Sequence, residues 1–400
     1  MDENEFILSI LGFSKPWYIV GTKQIDDTVE IKLDYPTRTK FQCPVCSKFC
    51  TVYDSKWRKY RHLDLWQYKT ILNVHIPRIK CDCNTKRVTI QLPWVRNGST
   101  FTQMMETHIL EMAKNGSVRS QAKLLRITDN RMWRVIIYHT ERCRKKADYS
   151  SCTSLGIDET SKKGHNYLTN FVDLAKRKIM FIATGKDSGV VGEFSKDFVL
   201  HGGAPERVVN TTCDMSLAFE SGIKKEFVNS RIVVDKFHVV KYFNDALNKT
   251  LHDEVKLDAG LKGTRYLWLR NQVNLSEKQR ERFGRISKRR CKTVRAYGMR
   301  LAMQEIYGLF DKAEAKDELH RLVGWLWRSR NVHMKRLAGM VVNHFENILN
   351  YFDDRLTNAV LEGLNNVVQS IKHTARGFRN CDYMKAICYL HCGAFEVTAT

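Results

Sequence analysis

Short alternations of apolar and polar residues run through the first 95 positions, as in Thr28–Leu33 and Lys69–His75, with cysteines between them. They predict a small β-rich module. From Phe101 to Lys146 the apolar spacing becomes helical and predicts three helices near 101–114, 117–125 and 129–145. A basic run, Arg142–Lys146, then leads into the polar stretch Asp148–Ser154, which suits a linker. Four β-like runs follow, SLGID, HNYLTNFVDL, KIMFIATG and RVVNTTCD, and a helical stretch from Leu217 to Val228 separates the fourth from a fifth, RIVVD. Strands followed by a strand–helix–strand unit predict a mixed sheet. From Lys241 to about Asp354 the pattern predicts helices, rich in Arg and Lys between Arg280 and Arg300 and carrying Trp325 and Trp327. A final helix is expected from about Thr357 to His373. Internal repeats and low-complexity tracts are absent from the sequence.

A chain of 400 residues with 43% hydrophobic content exceeds what one core sustains. The pattern divides it into 1–97, 98–147, a discontinuous third domain of 152–240 and 355–395, and a helical domain of 241–354. Lys and Arg number 66 against 43 Asp and Glu, a formal charge of +23, which points to a polyanionic partner. With no apolar stretch near ~20 residues and an acidic start, MDENEFILSI, neither a membrane span nor a signal peptide is expected. Twelve dispersed cysteines in such a chain read as reduced thiols. Cys143, Cys152, Cys213, Cys291, Cys381, Cys388 and Cys392 have no ligand-like neighbours and are expected to be buried.

Two groups of residues outside the sheet runs carry candidate chemistry. Cys43-Pro-Val-Cys46 puts two thiolates on one tight turn, and Cys81-Asp-Cys83 presents two more, the donor set of a structural zinc site, with a reduced, metal-free cluster as the alternative. The one-residue gap between Cys81 and Cys83 narrows their reach, so Cys50 remains an alternative member. Ser117–His139 has the outline of a helix-turn-helix, with Ala122 and Leu125 inward on a short helix and Trp133, Ile136 and Ile137 on a second. Arg126 stands where a turn glycine is usual, and a plain three-helix bundle is the alternative. As a helix-turn-helix, it would present Asn130, Arg131 and Arg134 to base edges or phosphates.

Cleaving a phosphodiester with two hard cations about 4 Å apart needs converging carboxylates. Asp158 follows the apolar run Leu155–Ile157, and Asp214 follows the run beginning at Val208, so each falls near a strand end. Glu362 lies beside a stripe of Leu361, Leu364, Val368 and Ile371 at helical spacing, with Asn365 and Asn366 one turn on. Asp235-Lys-Phe-His238 follows the fifth strand. His238 either contacts the scissile phosphate or braces the site through Asp235. Glu159, next to Asp158, is expected on the opposite face and is not assigned to metal.

The segments GIDETSKKGHNYLTNFVDL, CDMSLAFESGIKKEF, RIVVDKFHVVKYFNDALN, LKGTRYLWLRN and NAVLEGLNNVVQSIKHTARGFRN resemble, in order, the blocks of ISL3-family bacterial insertion-sequence transposases. CPVC, RHLDL, IPRIKCDC, LPW and FT resemble that family's N-terminal finger, although the family more often spaces the second cysteine pair wider. The resemblance implies a multidomain α+β chain: a zinc-binding β-rich finger, a helix-turn-helix, and an RNase H-like catalytic domain interrupted by an all-α insertion. It places a DDE triad on Asp158, Asp214 and Glu362 holding Mg²⁺ or Mn²⁺, with Asp235 and His238 in support and Zn²⁺ on the cysteines. The implied activity is nicking of DNA at element ends and joining of the 3′-hydroxyls to target DNA, in a cytoplasmic, nucleoid-associated protein that is at least dimeric on DNA. A catalytically silent DNA-binding regulator and an RNase H-like nuclease are the alternatives.

Overall fold

The computed structural model describes residues 8, 9, 11–13, 15–162, 166–270, 274–355, 359–378 and 380–399. Most of the acidic N-terminal stretch, His165 at the head of the second β-like run and Thr357 at the head of the expected last helix lie outside them. The chain forms two compact units. One comprises Met1–Arg144, Thr374–His391 and Phe395–Thr400, and the other Lys145–His373 and Cys392–Ala394.

In the first unit β1 (Tyr18–Ile25), β2 (Thr28–Asp34), β3 (Lys40–Gln42), β4 (Phe49–Arg61), β5 (Lys69–Cys81) and β6 (Asn84–Thr89) form one sheet, ordered β1-β2-β5-β4-β3, with β6 also on β5. Alternation decides which face is covered: Leu72, Val74 and Ile76 of β5 and Ile31 and Leu33 of β2 are buried, over a core closed by Trp17, Phe41 and Trp94. The other face carries a polar ladder across three neighbouring strands, in which His75 Nδ1 lies 2.9 Å from Asp34 and Nε2 lies 2.5 Å from Ser55 Oγ.

Three helices follow: α1 (Gln103–Lys114), α2 (Val118–Leu124) and α3 (Asp129–Arg144). Thr102 and Ser117 cap the first two, each accepting a backbone N–H with its side chain. The α2–α3 turn does without glycine because Arg126 takes the left-handed conformation, φ 54°, while its guanidinium pairs with Asp64 and lies 3.6 Å from Asp27. Glu106 of α1 is fully buried, accepting from Arg96, from Ser99 Oγ at 2.6 Å and from His139 Nε2 of α3 at 2.7 Å. Burial alone would raise its carboxyl, but these donors outweigh it and hold the pKa low. Trp133 of α3 stacks on Tyr383 of the helix Cys381–Cys392, ring centroids 4.2 Å apart. That helix was not expected, and most of it groups with the first unit, not with the residues around Glu362.

The second unit opens with β7 (Ser154–Lys162), β8 (Asn166–Asp173) and β9 (Lys178–Thr184), an antiparallel meander. After α4 (Gly189–Leu200), β10 (Asn210–Cys213) adds parallel to β7; after α5 (Leu217–Glu226), β11 (Arg231–Val234) adds parallel to β10. The sheet order is β11-β10-β7-β8-β9. Helix α4 was not anticipated, although Val190, Val191, Phe194 and Phe198 have helical spacing and are all buried, Phe194 stacking on Phe171 of β8 at 4.3 Å. Gly189 and Gly192 weaken its local signal.

Beyond β11 the chain is helical to Asp354: α6 (Lys236–Val255), α7 (Arg265–Leu269), α8 (Glu277–Ser287), α9 (Lys292–Ile306), α10 (Lys312–Arg328), α11 (Val332–Asn343), α12 (Phe345–Leu349) and α13 (Tyr351–Asp354). These share a core around fully buried Trp268, set edge-on to Phe283 and Tyr297, whereas Trp325 and Trp327 are exposed. Last comes α14 (Ala359–Thr374), which buries Leu361, Val368 and Ile371. Among the described residues no helix is long and apolar enough to cross a membrane.

Replacing Glu106 by Gln takes the counter-charge from partly buried Arg96 and an acceptor from Ser99 and His139, and a loss of about 3 kcal/mol is expected in urea unfolding. Because the folded pKa is depressed, the wild-type contribution is full above the ordinary glutamate range and fades as pH falls through the folded value. The gap between wild type and Glu106→Gln should therefore narrow in acid; a constant gap would contradict the assignment.

Candidate functional site

The thiolate cluster forms where two turns of the first sheet meet. After β3, Cys43 N–H donates to Lys48 O and Ser47 N–H to Cys43 O, both at 2.8 Å, with Ser47 left-handed at φ 60°, so Cys43 and Cys46 share one knuckle. Cys81 ends β5 and Cys83 sits in the turn to β6. Sγ atoms are 3.6 Å apart for Cys43–Cys83 and 3.4 Å for Cys46–Cys81, and all four lie within 4.8 Å of one another. A zinc tetrahedron with ~2.3 Å bonds has edges of about 3.8 Å, so the donor set fits zinc. The single residue between Cys81 and Cys83 suffices because the β-turn folds them to one side. Backbone N–H groups of Cys46 and Val45 lower the Cys43 thiol, and that of Cys83 helps bring Cys81 to about 6. Cys50 stands outside the set; burial and the neighbouring thiolates push it to about 11.

On α3, Asn130 and Arg134 are exposed. Arg131, expected beside them on the open front, is half-buried instead: its guanidinium lies over the Phe101 ring at 4.2 Å and donates to Thr100 Oγ1 at 3.0 Å. Alternation along a helix could not reveal a partner thirty residues upstream. Five of the seven cysteines expected inside are buried, while Cys291 and Cys381 are partly exposed.

In the second unit the strand register brings acids together. Gly156 of β7 pairs with Thr212 of the parallel strand β10, so Asp158 in β7 and Asp214, the residue just after β10, each lie two residues beyond the last paired position. Cys213 pairs with Val234, which puts Asp235 beside Asp214 on β11's side. Burial raises the carboxyls of both Asp158 and Asp214; Asp214 adds repulsion on Asp158, and His238 opposes the shift at each. Asp235 is buried, caps α6 by accepting from Phe237 N–H at 3.1 Å, and lies 3.3 Å from His238 Nδ1, an ion-pair distance. That contact raises the His238 pKa, with Asp158 and Asp214 adding to it against burial. Glu159, set aside on alternation, is half-buried and has its carboxyl raised by burial and by Asp214.

Helix α14 approaches β7 closely. A Cβ on Gly156 would lie 2.9 Å from side-chain methyls of both Leu361 and Leu174, so a larger residue there would require those leucines to shift. Asn365, one turn beyond Glu362, donates to Asp158 Oδ2 and accepts from Thr160 Oγ1 at 3.3 Å and Asn170 Nδ2 at 3.5 Å. Thr160 and Asn170 are both buried, so the amide is a polar clasp between the helix and two strands. Glu362 itself is exposed on the first turn of α14. Among the described residues, only the four thiolates gather three or more ligating groups within one ion's reach; Asp158, Asp214 and Glu362 are more widely spaced. Thr160, Asn170 and Asn365 are the site residues sequence reasoning did not assign.

Two measurements follow. Purified protein is expected to carry a single zinc that Cys46→Ser or Cys83→Ser removes, with a fall in melting temperature, while Cys50→Ser keeps it; zinc retained without Cys83 would contradict the Cys₄ set. Asn365→Ala should cost about 2 kcal/mol in denaturant unfolding by taking the acceptor from the buried Thr160 hydroxyl and a donor from Asp158, although Asn170 still donates to Thr160 Oγ1 at 3.1 Å; a neutral outcome would contradict the clasp.

Comparison with known proteins finds three family models that match successive parts of the chain. A family model for ISL3 transposases matches residues 155–388, one described as the helix-turn-helix domain of transposase family ISL3 matches 90–140, and one described as the zinc-finger of transposase IS204/IS1001/IS1096/IS1165 matches 39–83. The transposase for insertion sequence element IS1001 of Bordetella parapertussis is 24% identical over 368 residues, covering 87% of this chain and 88% of that one. The transposase for insertion sequence element IS1557 of Mycobacterium tuberculosis is 23% identical over 381 residues, covering 87% and 85%. With more than half of its length matched by the first of these models, including both sheet aspartates and the helix that clasps one of them, the chain belongs to the ISL3 family of transposases.

Proposed function

We propose that this transposase acts through a DDE triad of Asp158, Asp214 and Glu362 on an RNase H-like domain interrupted by a helical insertion, nicking element ends and joining their 3′-hydroxyls to target DNA. The observation that carries the reading is the register: one carboxylate in β7 and one just past the end of parallel β10, each two residues beyond the last paired position, with the helix bearing Glu362 tied to the first through Asn365. A three-strand meander with two parallel strands added beside its first strand supports the RNase H-like assignment.

The donor set suits hard cations. Asp158 accepts one backbone N–H and one amide and Asp214 one backbone N–H, so lone pairs on both carboxylates remain for a cation, whose charge would offset the burial that raises both pKa values. Magnesium or manganese on these carboxylates would supply the Lewis acidity that activates the attacking oxygen and stabilises the leaving one. Asp235 holds His238 beside the two aspartates, a bracing role. Exposed Arg285, Lys288 and Arg290 around the end of α8 offer phosphate contacts for the duplex, while Asn130 and Arg134 of α3 face the bases of the terminal repeats. Processing two ends in one event calls for at least two copies on DNA.

Asp214→Asn separates the two tasks. It is expected to leave affinity for the terminal repeats unchanged in gel shifts, abolish magnesium-dependent nicking and strand transfer, and stabilise the metal-free protein by about 1 kcal/mol, because a repelling, buried charge is gone. Normal cleavage by this variant would remove Asp214 from the triad and make Asp235 the replacement. Nicking by wild type with no strand transfer would favour a nuclease.

A further inference from the structure

The first unit contains a pocket of about 280 Å³ between the polar face of its sheet and the start of α3, lined in part by Lys59, Arg61, Thr100 and Arg131. Its chemistry is cationic. Lys59 and Arg61 alternate onto the same face of β4, opposite Asn73 and Ile71 of β5. Arg61 is 5% exposed and locked in place, donating from Nη1 to the carbonyls of His62 at 2.6 Å and Thr70 at 3.4 Å and pairing through Nη2 with Asp64. Asp64 is shared with Arg126, which also lies 3.6 Å from Asp27, and Asp27 in turn pairs with Lys69 at 2.8 Å, so two carboxylates answer three cations. Arg61 Nε is buried and has no hydrogen-bond partner among the described residues. Arg131 reaches the pocket from α3, held by Thr100 Oγ1 and the Phe101 ring, and burial together with the charge of Arg61 lowers its pKa. The one carboxylate on the wall, Glu30, is already engaged by Lys59 at 2.8 Å and Asn73 at 2.9 Å. Two fixed guanidiniums facing one cavity with too little negative charge, a stranded buried N–H and a nearby hydroxyl make a site for a tetrahedral oxyanion.

We propose that this pocket holds a backbone phosphate of the bound duplex between Arg61 and Arg131, with Lys59 at the mouth, and thereby sets the register of α3 on the DNA. The inference rests on the reading of the first unit as the DNA reader. Arg131 is flanked on its own helix by exposed Asn130 and Arg134, so a phosphate fixed at Arg131 leaves those two to meet base edges. Arg131 is thus a positioning contact and carries no base preference, which explains why its side chain is tied down while its neighbours are open.

The test uses the full chain and fluorescence anisotropy on duplexes carrying the repeats that border the gene, across a salt series. Arg131→Gln should weaken binding about 10-fold and lower the slope of log K against log salt by about one, without altering preference among base-substituted repeats. Lys59→Gln, at an exposed position where it removes only a surface ion pair to Glu30, should weaken binding about 3-fold with the same sign in the slope. A scan of single methylphosphonate linkages should find one position that weakens wild type about 10-fold and leaves Arg131→Gln unaffected. Unchanged salt slopes in both variants would overturn the proposal. So would inorganic phosphate raising the melting temperature of wild type, but not of Arg131→Gln, with no methylphosphonate position discriminating, since the ligand would then be free phosphate. Failure of the underlying reading looks different: wild type would bind the repeats no better than a scrambled duplex, while the salt slope and the linkage scan would still judge the pocket.

Discussion

Asp158 in β7 and Asp214 just past the end of neighbouring β10 are held partly buried, with Asp214 repelling Asp158, and much of the second unit acts to keep them there. Left alone, such a pair lowers stability, since each charge loses water and faces its like. The sheet resists because its core is rigid: Leu155, Ile157, Phe171, Phe194 and Phe198 are all fully buried. His238 stands beside them with its pKa raised by Asp235 and by the two aspartates, and Asn365 fixes one carboxylate's orientation by donating to it. Strain of this kind is kept where it serves a site, and here the proposed use is to present anionic oxygen to cations.

The same constraint explains how a long helical segment can interrupt the sheet unit without loosening it. The segment has its own core and is sewn to the sheet where it returns. His344 Nδ1 lies 2.5 Å from Glu220 of α5, both buried; Asn350 donates to Ile232 O of β11 at 2.9 Å; Arg231 pairs with Asp353 at 3.2 Å and Asp354 at 3.1 Å. These contacts deliver the chain beside β11 just before α14 begins, so the glutamate helix arrives at the sheet in a determined place. Gly156 then admits Leu361, and the Asn365 amide locks the helix to β7 and β8.

Periodicity revealed those features that depend on which side of an element is apolar. All five strands of the second sheet, the three helices after the first and the strand-poor stretch were legible that way, as were the knuckle cysteines. What stayed hidden depends on partners distant in sequence. Asn365 looked like one of two adjacent amides on a polar face until Thr160 and Asn170 were brought under it. Arg131 looked exposed until Phe101 and Thr100 folded over its guanidinium. Helix α4 carried a readable apolar stripe, but two glycines in its first turn obscured it. Arg126 shows a rule overridden: ion pairs to Asp64 and Asp27 replace the glycine that the turn ordinarily wants.

The central claim is that Asp158, Asp214 and Glu362 are drawn onto common cations, and anomalous diffraction from crystals grown with manganese addresses it directly. The account predicts anomalous peaks within coordination distance of Asp158 and Asp214, with the Glu362 carboxylate turned inward from the first turn of α14 to complete the set. Peaks coordinated by Glu159 or Asp235 while Glu362 still faces solvent would contradict it.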